Sequence, residues 1–191
     1  MRFGHVLVAG ATGAIGTEVV RELQARGVRV RSLVRDPDRL RVEPEEIFVG
    51  NLQNPRTLQM ACDDVEAVVS CAGAPFRMLR PFRAGRDTFY DIDDAGNRNL
   101  LEEALSSSVK RFAYLSCYGG RVLGAIEYIR AHESFASALR TSGIDSVVVR
   151  TTVAFSRLEQ LLQRALAKDR VSVVGTGEAR TNPIHQADLA S

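Results

Sequence analysis

The sequence has few of the residues that cross-link secreted domains or bind metals. It contains three cysteines and three histidines among 191 residues. Cys62, Cys71 and Cys117 are odd in number, widely spaced and form no CxxC pair, so we interpret them as reduced, buried thiols of a cytosolic protein. The histidines are too scattered along the chain to suggest a metal site. We therefore expect no metal cofactor.

The chain also has little net charge. Its 25 basic and 23 acidic residues leave a charge of +2, which favours neither nucleic acid nor a membrane as a partner. The first residues lead into an apolar strand pattern without the apolar core of a signal peptide. We expect a cytoplasmic protein, and a length of 191 residues indicates a single domain, 1–191.

Short apolar runs alternate with helical patterns from end to end, as is typical of βα units around a parallel sheet. Strands are predicted near 5–9, 28–34, 46–49, 65–71, 109–115, 144–150 and 171–174. Helices are predicted near 14–26, 55–62, 88–106, 123–142 and 155–168. Right-handed crossovers then give an α/β fold with a Rossmann-like, doubly wound parallel sheet in the order 3-2-1-4-5-6-7. The ligand crevice of such a sheet lies at the carboxyl ends of strands 1 and 4.

The most informative stretch runs from Val6 to Gly16, where an apolar strand leads through three glycines into a helix. Gly10 and Gly13 let the backbone turn sharply and approach a ligand, while Gly16 lets the helix pack close to the strand. The helix N-terminus offers unpaired N–H groups to a pyrophosphate. The alternative is a tight βα connection that binds nothing. The residues predicted to hold the dinucleotide here are Gly10, Thr12, Gly13, Ala14, Ile15 and Gly16.

The end of strand 2 bears on the choice between NAD and NADP. An acidic residue at this position selects the free ribose 2′-hydroxyl of NAD, whereas an arginine pairs with the 2′-phosphate of NADP. Arg35 comes first and Asp36 second, so we expect NADP, with NAD as the less favoured cofactor. A solvated Arg35 without a ligand is the alternative.

Two further strand ends supply candidate cofactor contacts. Asn51 and Leu52 follow strand 3 and are placed to contact adenine, although an ordinary Asx turn would use the same asparagine. Ala72 and Gly73 follow strand 4, where small residues would let the dinucleotide cross the edge of the sheet. Close helix packing would also require small residues there.

An irregular segment from Pro75 to Arg86 carries four arginines. Its position after strand 4 predicts a loop over the crevice, either with a solvated basic face or as a lid over an anionic ligand. Near the C-terminus, Asp188 is a candidate helix N-cap, yet only three residues follow it. We therefore expect that the natural chain continues and that part of the substrate side is missing.

Several segments together resemble the atypical short-chain dehydrogenase/reductases, and within them the NmrA-like NAD(P)-binding group. They cover essentially the whole chain in the family's order. The matching segments are Gly10 to Gly16, Val34 to Pro37, Asp93 to Glu102, Arg111 to Ser116, Ser142 to Arg150 and Asn182 to Ala190.

The resemblance implies the position of the reactive residues. In that superfamily a serine at the end of strand 5 and a Tyr-x-x-x-Lys pair carry the hydride chemistry, and the matching residues are Ser116, Tyr128 and His132. His132 stands where the lysine would be, and a mostly neutral imidazole could bind the nicotinamide ribose but would lower the pKa of the tyrosine poorly. An ordinary helix residue is the alternative for His132. Tyr118 is a second candidate acid, and Thr151 stands beside the expected nicotinamide site where the family commonly has proline.

Two functions from different classes follow. One is an NADP-dependent oxidoreductase acting on a small organic substrate, with Ser116 and Tyr128 polarising a carbonyl or enone oxygen. The other is a non-catalytic NADP-binding regulator or redox sensor that acts through a partner protein. The retained serine and tyrosine favour the first, and the lost lysine favours the second.

Overall fold

The computed structural model describes residues 4–74, 88–120, 123–168, 176, 178 and 180–191. Six apolar runs of the sequence form strands, and the first of them, at the centre of the sheet, is buried along its whole length. The strands are β1 (His5–Ala9), β2 (Arg29–Val34), β3 (Glu46–Val49), β4 (Ala67–Ser70), β5 (Arg111–Cys117) and β6 (Asp145–Thr151). The helices are α1 (Ala14–Ala25), α2 (Asn97–Ser106), α3 (Glu127–Thr141), α4 (Phe155–Lys168) and α5 (Gln186–Ala190).

These strands form one parallel sheet in the order β3-β2-β1-β4-β5-β6. The predicted Rossmann-like fold and the order of strands 1 to 6 are thereby confirmed. The strand predicted near 171–174 and the arginine-rich segment 75–86 lie outside the described residues. The order reverses between β1 and β4, and this reversal places the carboxyl ends of those two strands beside each other at the crevice.

The core has two layers because successive strand side chains alternate between the faces of the sheet. On one face Leu7 packs with Phe112 and Phe135. On the other face Val6 and Val8 pack beneath α1. Both faces are apolar, as expected for a parallel sheet covered by helices.

The helix predicted near 55–62 is wrong. The structure has a short 3-10 helix at Pro55–Thr57 followed by turns. Met60 has a φ of 67°, which is the left-handed region and cannot continue a right-handed helix.

The segment predicted as one helix near 88–106 forms two helices of different types. A π-helix covers Tyr90–Gly96 and α2 covers Asn97–Ser106. The junction is fixed to the sheet because the Ser70 hydroxyl donates to Asn97 Oδ1 at 2.5 Å. Asn97 Nδ2 in turn donates to the carbonyl of Asp93 at 3.1 Å.

The C-terminal helix also differs from expectation. His185, and not Asp188, is the N-cap of α5, and its Nδ1 accepts from the amide of Ala187 at 3.2 Å. This five-residue helix forms because it packs against α1, where Arg26 donates to the carbonyl of Ser191 at 2.9 Å. Contacts with α1 therefore stabilise a helix that is too short to form in isolation.

Candidate functional site

The glycine-rich turn after β1 abuts the end of β4. Gly10 has a φ of 82°, and a side chain there would meet the backbone of Cys71 and Ala72 at 2.7 Å. Glycine is therefore required both by the left-handed conformation and by the close approach of the two strand ends. Gly13 closes the turn by donating its amide to the carbonyl of Gly10 at 3.0 Å.

The same turn fits a dinucleotide pyrophosphate. A Cβ at Gly16 would collide with the carbonyl of Gly10, so this glycine lets α1 lie against the strand end. A Cβ at Gly13 would meet within the described protein only that carbonyl, at 3.3 Å, which leaves the space outside it open. Gly13 is the N-cap of α1 and makes no side-chain cap, so the first amides of the helix face that space. Thr17, which the sequence interpretation missed, braces the turn by donating to the carbonyl of Ala11 at 3.0 Å.

The end of β2 presents Arg35 and Asp36 in different roles. Asp36 Oδ1 accepts the amide of Asp38 at 3.3 Å and caps a short 3-10 helix, Pro37–Arg39. Arg35 is exposed. The carboxylate of Asp36 is thus engaged in the local turn, and the guanidinium next to it extends from the end of the strand.

The end of β3 contains the Asx turn that was the alternative for Asn51. Its Oδ1 accepts the amide of Gln53 at 3.2 Å. The carbonyl of Leu52 accepts from Asn99 Nδ2 at 2.7 Å and so attaches this loop to α2. Contact of Asn51 and Leu52 with adenine stays a prediction.

Unpartnered hydroxyls mark the ends of β5 and β6. Ser116 is buried, and its Oγ has no hydrogen-bond partner in the described part of the chain; the same holds for Oγ1 of half-buried Thr151. Thr151 lies directly beside Cys117 in the sheet register. Tyr118 is 68% exposed and follows the strand into a turn. A buried hydroxyl without a partner is a group available to a ligand.

Tyr128 lies near the start of α3 and packs against two rings. Its ring meets Phe89 edge to face at 5.3 Å and His132 edge to face at 4.5 Å between centroids. Burial raises the pKa of the Tyr128 phenol, and the neighbouring Cys117 and Asp93 add to the rise. The phenol therefore stays protonated at neutral pH and can donate a proton.

His132 shares the helix face of Tyr128, as predicted, but both of its ring nitrogens face inward. Nδ1 lies 2.5 Å from the hydroxyl of Tyr114, and Nε2 lies 3.6 Å from Oδ1 of Asp93. Burial lowers the pKa of His132 to about 4, and burial raises the pKa of Tyr114. The tyrosine thus keeps its proton and donates it to Nδ1 of a neutral imidazole. The contact with Asp93 is accordingly not an ion pair at neutral pH.

Asp93 is a second residue whose role the sequence interpretation missed. It is fully buried in the π-helix, and its Oδ1 accepts the amide of Ala74 at 2.9 Å. Its Oδ2 has no partner among the described residues. Burial raises the pKa of Asp93 to about 7, against the lowering effect of the Ala74 amide. The only signal in the sequence was an acidic residue inside a segment that otherwise packs on the sheet.

The structure brings some of the predicted residues together with Asp93 in one continuous path. The Ala72 backbone lies so close to Gly10 that a Cβ there would be 2.7 Å from it, a Cβ on Gly73 would lie 2.8 Å from Asp93 Oδ1, and Asp93 faces His132. His132 contacts Tyr128. Arg35 and Asn51 lie apart from this path, at the ends of β2 and β3. Within the ranges described, no group of three or more histidine, cysteine or acidic side chains is arranged to hold a metal.

Comparison with known proteins agrees with this geometry. A family model described as NAD(P)H-binding matches residues 10–191. Sterol demethylase protein B of Methylococcus capsulatus is 34% identical over 116 residues, which cover 59% of this chain and 34% of that protein. Photosystem II assembly factor Ycf39 of Guillardia theta is 27% identical over 190 residues, which cover 97% of this chain and 58% of the factor. The matches thus span between a third and three fifths of these relatives.

A solved structure of similar fold is Bordetella bronchiseptica WbmH in complex with NAD+. It superposes with a TM-score of 0.80 at 19% identity, over 98% of this chain and 70% of that one. In the described residues, no helix has the length and apolar character needed to cross a bilayer.

Proposed function

Because the chain belongs to the NAD(P)H-binding family, we propose that it is an atypical short-chain dehydrogenase/reductase and an NADP-dependent oxidoreductase acting on a small organic substrate. The observation that carries this proposal is the continuous path from the glycine-rich turn through Asp93 and His132 to the protonated Tyr128. The NmrA-like grouping and a cytoplasmic location are part of the proposal.

The preference for NADP rests on the different engagement of two neighbouring side chains. One oxygen of Asp36 accepts the amide of Asp38, and this bond holds the carboxylate in the local turn. Arg35 is exposed at the end of β2, where a guanidinium can form paired hydrogen bonds with a 2′-phosphate. In this proposal Arg35 is the charged partner of the 2′-phosphate.

The chemistry that suits these residues is reduction of a carbonyl or enone. When bound, the nicotinamide supplies the hydride to the substrate carbon. In this proposal the unpartnered hydroxyl of Ser116 polarises the substrate oxygen, and Tyr128 gives its phenolic proton to that oxygen as the negative charge develops. Burial raises the pKa of Tyr128 and keeps its proton in place, and the alkoxide that forms as the hydride arrives is a base strong enough to take that proton. Hydride and proton together complete the reduction.

A second candidate is a non-catalytic NADP-binding regulator that acts through a partner protein. The observation that favours it is the neutral, buried His132 at the position where the resemblance implies lysine. A neutral imidazole at position 132 cannot stabilise the conjugate base of Tyr128 as a lysine ammonium would. A relative that is named as an assembly factor, Ycf39 of Guillardia theta, fits such a role.

Following NADPH absorbance with a panel of aldehydes, ketones and enones separates the two functions. The reductase predicts consumption of NADPH with at least one compound and its loss in Tyr128→Phe, which keeps the ring but not the proton. Calorimetry with NADPH is run on both proteins, because a regulator predicts binding without turnover. Binding in both proteins and turnover in neither would contradict the reductase and support the regulator.

A further inference from the structure

The crevice contains a buried polar chain that connects four elements of the fold. Tyr114 comes from β5, His132 from α3, Asp93 from the π-helix and Ala74 from the loop after β4. The links are Tyr114 hydroxyl to His132 Nδ1 at 2.5 Å, His132 Nε2 to Asp93 Oδ1 at 3.6 Å, and the Ala74 amide to the same Oδ1 at 2.9 Å. We call this set the Tyr114–Ala74 chain.

Two buried atoms in this chain are left without hydrogen bonds. Asp93 Oδ2 and His132 Nε2 have no partner among the described residues, although Asp93 and His132 are 0% and 4% exposed. Purely structural polar groups at such depth are normally satisfied, because an unmade hydrogen bond in the interior is costly. Asp93 Oδ2 therefore has a free position at which it can carry a proton.

The carboxyl of Asp93 also lies against the loop that borders the cofactor crevice. The neighbouring Gly73 has no room for a side chain because its Cβ would approach Asp93 Oδ1 at 2.8 Å, and the adjacent Ala72 backbone bounds Gly10. A change in the hydrogen bond between Asp93 and the Ala74 amide therefore changes the position of the loop that borders the crevice.

We propose that Asp93 is a positioning residue that fixes the loop 71–74 for NAD(P)H binding, and that adding or removing its proton tightens or loosens this loop. The ionised carboxylate is the stronger acceptor for the Ala74 amide, and the neutral carboxyl is the weaker one. The proton is carried by Oδ2, the oxygen that has no partner. The proposal rests on NAD(P)H binding and not on hydride transfer.

Among the described groups around Asp93, Asp93 itself is the one whose pKa lies near neutrality. Burial raises the pKa of Tyr114, Tyr128 and Cys117 above the neutral range. Burial lowers the pKa of His132 to about 4, while the pKa of Asp93 is raised to about 7. The neighbouring charge of Asp94 is matched by Arg98, whose Nε lies 2.7 Å from Asp94 Oδ1.

Nuclear magnetic resonance of the Ala74 amide tests the loop contact without cofactor or substrate. In the wild type we expect the Ala74 amide proton shift to titrate with a midpoint near pH 7. In Asp93→Asn, which keeps the acceptor oxygen but cannot ionise, the shift should be independent of pH. Asp91→Asn is the matched control, since Asp91 lies exposed on the same π-helix and bonds Thr88 instead. A flat Ala74 shift in the wild type, or the same titration in Asp93→Asn, would overturn the proposal.

Fluorescence titration with NADPH and NADH measures the consequence for binding. We expect the wild type to bind about fivefold more weakly below the midpoint than above it, and Asp93→Asn to remain at the weaker value throughout. The titration of the 2′-phosphate of NADPH is common to all variants and cancels in the comparison. Equal pH profiles in the wild type and Asp93→Asn would overturn the role in binding. Failure of turnover alone, with these profiles intact, would count only against the proposed reductase.

Discussion

The rings of Tyr128 and His132 meet edge to face on successive turns of α3, with centroids 4.5 Å apart and an interplanar angle of 73°. The imidazole lies between the Tyr114 hydroxyl and the Asp93 carboxyl. Burial lowers its pKa and keeps it neutral. The ring that Tyr128 contacts at position 132 is therefore a neutral imidazole. The charge of the residue at position 132 therefore affects the pKa of the Tyr128 phenol.

His132→Lys is expected to restore a cation at this position. An ammonium facing Asp93 would form an ion pair, lower the pKa of Tyr128 and raise hydride transfer to a carbonyl substrate. The variant also removes the acceptor for the Tyr114 hydroxyl, which should cost about 1–3 kcal/mol of unfolding free energy. NADPH consumption and thermal unfolding measure the two effects.

The control for this variant is Ser137→Lys, which adds the same charge at an exposed position of α3 and should leave the rate unchanged. A His132→Lys protein that binds NADPH well yet reduces nothing in a broad carbonyl panel would count heavily against the reductase and for the regulator.

Arg35→Ala is expected to weaken NADP binding selectively. Removing a charge-assisted contact with the 2′-phosphate should cost on the order of 1.5–3 kcal/mol, about tenfold or more in affinity, while NAD affinity changes little. Arg140→Ala, an exposed arginine in the last turn of α3, is the matched control. Calorimetry showing equal affinity of the wild type for the two cofactors would refute the NADP preference.

Gly13→Val is expected to abolish dinucleotide binding in a folded protein. Gly13 has extended backbone angles of −82° and 161°, which valine adopts readily, and its side chain would fill the space that the pyrophosphate needs. Gly16→Val makes the contrasting case, because its side chain would collide with the Gly10 carbonyl and should destabilise the fold itself. Circular dichroism and calorimetry distinguish the two outcomes, and normal cofactor binding by folded Gly13→Val would place the phosphates elsewhere.

The order of six strands could be predicted because periodicity and chain order determine a doubly wound sheet once crossovers are right-handed. The glycine-rich turn could be predicted because Gly10 and Gly16 are required by local geometry that the sequence pattern encodes. The false helix near 55–62 shows the limit of the same method. Its apolar spacing is helical, but the left-handed conformation of Met60 depends on how the loop packs.

The Tyr114–Ala74 chain could not be predicted, because its links join residues from 18 to 39 positions apart. Asp93 stands in an acidic run with Asp91 and Asp94, which by composition resembles a solvated face. Only the parallel pairing of β4 with β5 and the packing of the π-helix on α3 bury it. His132 likewise has the spacing of a cofactor ligand, and its neutral state follows from burial that the sequence does not specify. The roles assigned to Ser116, Tyr128, His132 and Thr151 stay predictions.

The opposite pKa shifts of Asp93 and His132 predict opposing effects on stability. Asp93 has a pKa of about 7 in the folded state, whereas its ordinary value is 3.8. Between these values the unfolded state binds fewer protons than the folded state. The unfolding free energy therefore falls as pH rises from about 4 to about 7. His132 has a pKa of about 4 in the folded state, whereas its ordinary value is 6.5. Between these values the unfolded state binds more protons, so the unfolding free energy rises from about pH 4 to 6.5. The two slopes oppose each other over their shared range.

Removing either residue should therefore uncover the slope of the other. Relative to the wild type, Asp93→Asn should gain stability as pH rises from about 4 to about 7, and His132→Gln should lose it from about pH 4 to 6.5. Each difference should approach about 1.4 kcal/mol per pH unit at its steepest. Urea unfolding at half-unit pH steps measures these differences, with Asp91→Asn as the exposed control. Slopes of the same sign in the two variants would mean that Asp93 and His132 share their proton as an ion pair, which would contradict the neutral imidazole on which the tuning of Tyr128 depends.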